Sequence, residues 1–268
     1  MRIQVGCEFT YTAEVATHAV IQVEPRLDGA VRALDERWVT LPQVGISRHI
    51  DGFGNVCRRV TIPTGLSSLR FDALLEVPHA ADAERLDAVE LAPEQLPDDV
   101  LVYTLPSRYC PTQELADDAW ALFGTCPPGW RRVQTICDWV HNEIKFGYLT
   151  TSPLITAVDV FNSRAGVCRD FAHLAVTFCR ALNIPARYVF GYLPDIDVPL
   201  SPDAMDFCAW MEVFLDGSWW TFDPRNNQRR VGRALVGRGR DAIDVAMITT
   251  YGGPDLVSMT VWADEVTS

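Results

Sequence analysis

Between Ala165 and Leu182 the apolar residues Val167, Phe171, Leu174, Ala175, Phe178 and Leu182 recur at helical spacing. Cys168 stands where that helix begins, behind the small pair Ala165–Gly166. Three β-rich runs follow with no helix between them: ARYVFGYL from Ala186, DFCAWMEVFL from Asp206 and SWWTFDP from Ser218. Asp216–Gly217 marks a hairpin turn between the last two. A buried helix followed by consecutive antiparallel strands restricts this half of the chain to a helix packed on a sheet, an α+β layer. A helix start also offers unpaired N–H groups and partial positive charge, which favour a thiolate over a thiol.

The rest of the chain divides by the period of its apolar residues. Up to about residue 105 it reads as short strands, RIQVGCEFTY, HAVIQVEP, RRVTIPTG and LRFDALLEV, separated by turn formers such as HIDGFGN. That pattern predicts an antiparallel β-sandwich. APEQLPDDVLVYTLPSRYCPTQ, rich in proline and acid, reads as a surface linker. From Thr112 the period becomes helical: TQELADDAWALFG carries a Thr cap, early acid and a closing glycine. In the next segment Trp130, Val133, Cys137, Val140 and Ile144 share one helix face. SPLITAVDVFNS predicts a short helix and VSMTVWADEV a closing strand. The Gly-spaced run VGRALVGRGRD lacks the strand–helix context of a phosphate loop and predicts a turn. The expected division is 1–105, a β-sandwich, and 106–268, an α+β domain that carries the chemistry.

A net charge of −12 supplies no surface for neutralising phosphate, so nucleic acid and anionic membrane surfaces are excluded as expected partners. No segment reaches the ~20 apolar residues of a membrane span, and the alternating N-terminus lacks the apolar stretch of a signal peptide. A cytoplasmic location is the expectation. The eight cysteines are scattered without a CxxC pair, which reads as small core residues and not as a disulfide framework.

The runs WVHNEIKFGYLTTSPLITAVDVFNSRAGVC, SRAGVCRDFAHLAVTFCRALNIPARYVFGYL and FCAWMEVFLDGSWWTFDPRNN resemble bacterial transglutaminase-like proteins of the papain-like cysteine protease superfamily. The β-rich first hundred residues and the closing VWADEV are similar to the flanks of such proteins. The resemblance implies a Cys-His-Asp set in which Cys168 matches the nucleophile and Asp223 the residue that orients the base. At the position of the His the strand reads CAWMEV, with Cys208 there instead. A thiol has an unperturbed pKa of about 8.5 and is never cationic. It can donate one S–H to a thiolate, and two thiolates side by side would repel, so one pKa should rise. None of the five histidines reads as a substitute. His173, five residues beyond Cys168, is rotated by roughly 140° from it and reads as a packed helix residue. His141 lies late in the preceding helix, and His18, His49 and His79 lie in the N-terminal region.

Three readings stay open at this point. In the first, Cys168, Cys208 and Asp223 act as a catalytic set for acyl transfer on a peptide, amide or small thioester substrate, with no cofactor expected. Activated acyl donors suit it better than ordinary peptides, because their leaving groups need less protonation. In the second, the same Cys168, Cys208 and Asp223 hold zinc or iron, two thiolates and a carboxylate with an open position. In the third, Cys168 and Cys208 form a reversible disulfide or the fold is a binding module. Cys179 reads as core, and Trp219–Trp220 as sheet packing or a cleft wall.

Overall fold

The computed structural model describes residues 1–147, 152, 154–201 and 203–266. Six strands come first: β1 (Arg2–Ala13), β2 (Thr17–Ile21), β3 (Arg32–Leu41), β4 (Ser47–Ile50), β5 (Val56–Ile62) and β6 (Gly65–Glu76). In β1 the alternate residues Ile3, Val5, Cys7, Phe9, Tyr11 and Ala13 are buried; in β6 Leu69, Phe71, Ala73 and Leu75 answer them. The period of two buries one face of each strand. Ile21, Val60 and Ile62 from the second sheet join the same core, so two sheets pack face to face.

The last strands, β13 (Ile248–Thr250) and β14 (Asp255–Glu265), return to these sheets. The orders are β14-β1-β6-β3 and β13-β2-β5-β4. Residues 248–265, grouped by sequence with the second half, therefore complete the sheets of the first. Gly6 opposes Trp262, and a Cβ at Gly6 would come 2.4 Å from the indole, so a glycine is needed where this strand is received.

Between them lie α1 (Ala116–Phe123), α2 (Trp130–Glu143), the two-residue β7 (Lys145–Phe146), α3 (Ala157–Ser163), the equally short β8 (Ala165–Gly166) and α4 (Cys168–Ala181). Then come β9 (Ala186–Tyr192), β10 (Cys208–Leu215), β11 (Ser218–Phe222) and β12 (Ala234–Gly239). These four strands form one antiparallel sheet of order β11-β10-β9-β12. α4 sits between this sheet and the other helices: Phe178 touches the rings of Phe123, Trp139 and Phe161 at 5.2, 5.5 and 5.9 Å. Tyr188, Phe190 and Tyr192 of β9 belong to the sandwich core, and the Tyr192 hydroxyl donates to the Val23 carbonyl at 2.9 Å. The architecture is the expected α+β one, with antiparallel sheets and a helix-borne cysteine.

Two expectations change. The proline-rich segment before α1 is not a loose surface linker: Leu96, Val100, Tyr103 and Cys110 are buried. The buried Arg180 ties it down by donating to the Leu105 carbonyl at 3.2 Å and the Ala186 carbonyl at 2.9 Å. The Gly-spaced run is the strand β12, not a turn. Its glycines lie under the following segment; a Cβ at Gly239 would meet Asp244 Cβ at 2.6 Å.

Candidate active site

The start of α4 is built by sequence-local contacts. Val167 is extended, and its N–H donates to the fully buried Asp170 carboxylate at 3.0 Å, a cap from the third helical position. A Cβ at Gly166 would lie 2.7 Å from Asp170 Cβ, so the chain can enter this turn only through glycine. Cys168 is thereby fixed at the first position of the helix, partly buried, with its Sγ 3.8 Å from the Phe207 carbonyl.

The first residue of β10 meets it. The thiols of Cys168 and Cys208 share a hydrogen bond, and the Ala209 N–H also donates to Cys168. The Cys208 bond is the main cause that lowers the Cys168 pKa; Ala209 and the positive charge of Arg225 add to it, against burial and the charge of Asp206. Cys208 moves the opposite way, well above the ordinary thiol range, because of its bond to Cys168, because it is buried, and because Cys168 and Asp223 are negative; its Sγ also lies 3.8 Å from the Ala209 carbonyl. As pH rises the pair therefore loses its first proton from Cys168, while Cys208 holds its own.

Asp223 lies after β11 and acts on Cys208 through its charge. Its own bonds go elsewhere: Oδ1 accepts from the Asn226 N–H at 2.9 Å, and Oδ2 from Asn226 Nδ2 and Arg233 Nη2, each at 2.8 Å. Burial works against its charge, but Arg233 and Asn226 outweigh it and hold the carboxyl below its usual range. Arg233 lies 4.7 Å over the Trp210 ring and bonds Asp82 at 2.8 Å as well. Of the three expected site residues, then, Cys168 and Cys208 are in contact and Asp223 stands behind them, turned to Arg233. Among the described residues no group of three His, Cys, Asp or Glu side chains is placed to hold a metal ion.

Two cavities meet at the thiols. One, of about 460 Å³, has largely apolar walls that include Tyr109, Tyr188, Phe190, Val245, Met247 and Ile248. The other, of about 270 Å³, is lined by charged groups, Asp195, Asp203, Arg225 and Arg230 among them. Cys168, Asp206, Phe207 and Cys208 border both. The apolar wall is held by His173 and Asp241. His173 Nε2 accepts the Ala242 N–H at 3.1 Å, and its ring stacks on Tyr109 at 5.1 Å. Asp241 accepts the N–H groups of Tyr109 and Ile243, both at 2.9 Å. Burial, with Arg169 and Arg180 nearby, keeps His173 neutral. Among the described residues no histidine lines either cavity. His141 lies outside them, Nδ1 2.9 Å from the Arg225 carbonyl. Trp219 and Trp220 pack in the sheet, Trp219 under Arg187 at 3.9 Å and Trp220 against Trp130 at 5.7 Å.

The comparisons agree with this fold. Residues 121–224 match the profile of the transglutaminase-like superfamily. This segment is a transglutaminase-like domain. A crystal structure of a Cytophaga hutchinsonii protein, named provisionally as a cysteine protease, superposes with a TM-score of 0.90 at 28% identity, covering 100% of this chain and 91% of that one. An uncharacterised Mycobacterium leprae protein is 25% identical over 269 residues, 97% of this chain and 96% of its own. An uncharacterised Mycobacterium bovis protein is 29% identical over 168 residues, 59% of this chain and 48% of its own. The transglutaminase-like domain thus brings Cys168, Cys208 and Asp223 to one end of its sheet. Sequence reading missed Asp206, Arg225 and Arg233. Asp206 stands two residues before Cys208 and could have been suspected from that spacing. Arg233 is hidden in the Gly-spaced run and carries no local signal.

Proposed function

We propose that this protein is a thiol enzyme that transfers acyl groups from activated donors, thioesters in first place, with Cys168 as nucleophile. The observation that supports it is the Cys168–Cys208 pair, in which one hydrogen bond lowers the pKa of the first thiol and raises that of the second. On this reading Cys208 takes the place of the family's histidine. It stabilises the Cys168 thiolate by donating its S–H, and Asp223 sets the field behind it. Cys208 cannot do the histidine's second task, giving a proton to a poor leaving group, because its own proton is held more tightly than that of an ordinary thiol. A departing amine needs that proton, whereas a departing thiolate does not. Thioesters are therefore favoured over the peptides that the protease-like fold would suggest.

Cys168 adds to the acyl carbon, the leaving thiolate departs, and water or an amine resolves the acyl-enzyme. The Cys168 N–H at the helix start is a donor for the oxyanion. The apolar cavity suits the acyl group, since each methylene buried there is worth about 0.8 kcal/mol. The test is intact-mass analysis after mixing with a short-chain thioester. One acyl group on Cys168, lost on standing and absent in Cys168→Ala, is the expected result. Equal acylation of Cys168→Ala would reject the reading.

A further inference from the structure

The pair of thiols leaves the acyl cycle without a group that takes and returns a proton, and one carboxyl borders both cavities. We propose that Asp206 is this proton-transfer residue, a proposal that rests on Cys168 being the acylated nucleophile. Asp206 lines the apolar cavity and the charged one, as do both thiols. Its Oδ1 accepts the Phe207 N–H at 2.7 Å, which fixes the carboxyl, while Oδ2 has no partner among the described residues.

The other charges around it are occupied. Arg230 donates to Asp195 at 3.0 Å and to the Pro194 carbonyl at 2.9 Å. Arg225 bonds Asn226 at 2.7 Å and stacks on Phe146 at 4.2 Å. Asp203 is exposed, and Cys208 donates a hydrogen bond to Cys168 and keeps its proton. Burial raises the Asp206 pKa, against the pull of the Phe207 N–H, towards the range where a carboxyl both gives and takes a proton. Ionised Asp206 raises the pKa of Cys168.

The cycle then balances. In acylation the Cys168 thiolate adds to the thioester carbonyl and the bond from acyl carbon to leaving sulfur breaks, that sulfur departing as a thiolate. In deacylation water adds to the acyl carbon, Asp206 takes its proton, and the bond to Cys168 breaks. Cys168 is again a thiolate, and Asp206 returns the proton, through solvent, to the departed thiolate. Thioester and water have become carboxylic acid and thiol, with nothing oxidised or reduced.

The test compares wild type with Asp206→Asn, Asp206→Glu and Cys168→Ala. Asparagine keeps the acceptor for the Phe207 N–H, so the loop geometry is retained. Three readouts are taken against pH: acylation by a thioester, decay of the acyl-enzyme by intact mass, and alkylation of Cys168 by iodoacetamide. Asp206→Asn should slow decay of the acyl-enzyme by roughly 10²–10⁴-fold and remove the acid-side limb of its pH profile. Its alkylation should be as fast as wild type or faster, and Asp206→Glu should recover part of the decay rate. Unchanged decay and an unchanged limb in Asp206→Asn, with acylation still dependent on Cys168, would overturn the role of Asp206 alone. Loss of alkylation together with decay would overturn it too, marking Asp206 as a support for the thiol. Acylation that survives in Cys168→Ala would instead overturn the acyl reading itself.

Discussion

Asp223 accepts from Arg233 at 2.8 Å, and Arg233 lies over Trp210 with its other bonds on Asp82. The carboxylate behind the thiols is therefore half of a buried ion pair, supplied by a residue ten positions further along the chain. The consequence is a division of labour: Arg233 keeps Asp223 charged, Asp223 acts on Cys208 by its field, and Cys208 acts on Cys168 by a bond.

Breaking this chain at Arg233 should cost stability. Arg233→Met leaves Asp223 and Asp82 as buried carboxylates that have lost their shared cation. Loss of one partner of a buried pair costs about 3–5 kcal/mol. An unfolding free energy from urea titration lowered by that amount is the expected outcome. Arg233→Met combined with Asp223→Asn should recover part of the loss, because it removes one stranded charge.

Asp223 also sets an acid limit. Its folded pKa lies below the unfolded one, so the folded state binds fewer protons as pH falls through the carboxylate range. Its contribution is complete above the usual carboxyl pKa of about 3.9 and is lost as pH drops towards the lower folded value. Unfolding free energy measured from neutrality down to about pH 3 should fall in wild type and fall less steeply in Asp223→Asn. Equal slopes would show that Asp223 carries no such linkage.

The thiols should sort by environment. Burial raises Cys7 to about 12 and Cys110 to about 11, and it raises Cys137 and Cys179 as well. Cys168 is the one lowered. Substoichiometric iodoacetamide at pH 7, mapped by peptide mass, should label Cys168 first and leave Cys137 and Cys179 untouched while the protein stays folded. Early label on either buried thiol would contradict the site.

The helix and strands that carry the thiols were legible because their apolar periods are strong: α4 is apolar at helical spacing over its whole length, and β9 and β10 are nearly continuous apolar runs. β3 was not legible, since ALDERW in its centre is mostly exposed and shows no alternation. β12 was not legible because glycine and arginine argue against a strand. It forms because Arg238 pairs with Glu212 at 2.8 Å across the sheet and because its glycines accept the segment after it. Cys168 and Cys208 could be named from their motifs. The partner of Asp223 could not, since Arg233 reaches both Asp82 and Asp223 only after the chain has folded back, and no local pattern encodes that.

Cys208 decides how the site works, and two substitutions there separate its effects. The bond from Cys208 is the leading cause of the low Cys168 pKa. Cys208→Ala removes it and leaves Ala209, Arg225 and the helix start. The alkylation profile of Cys168 should then move to higher pH, with a slower rate at pH 7. Cys208→His offers a group that can hold a positive charge beside the thiolate and give its proton to a leaving amine. It should raise cleavage of activated amides by roughly 10²–10⁴-fold and change thioester cleavage less, because a departing thiolate gains little from the proton. A matched pair of substrates, one thioester and one anilide with the same acyl group, measures the ratio directly. If Cys208→His raises both equally, the limit set by Cys208 is thiolate formation and not the leaving group, and the preference for thioesters falls with it.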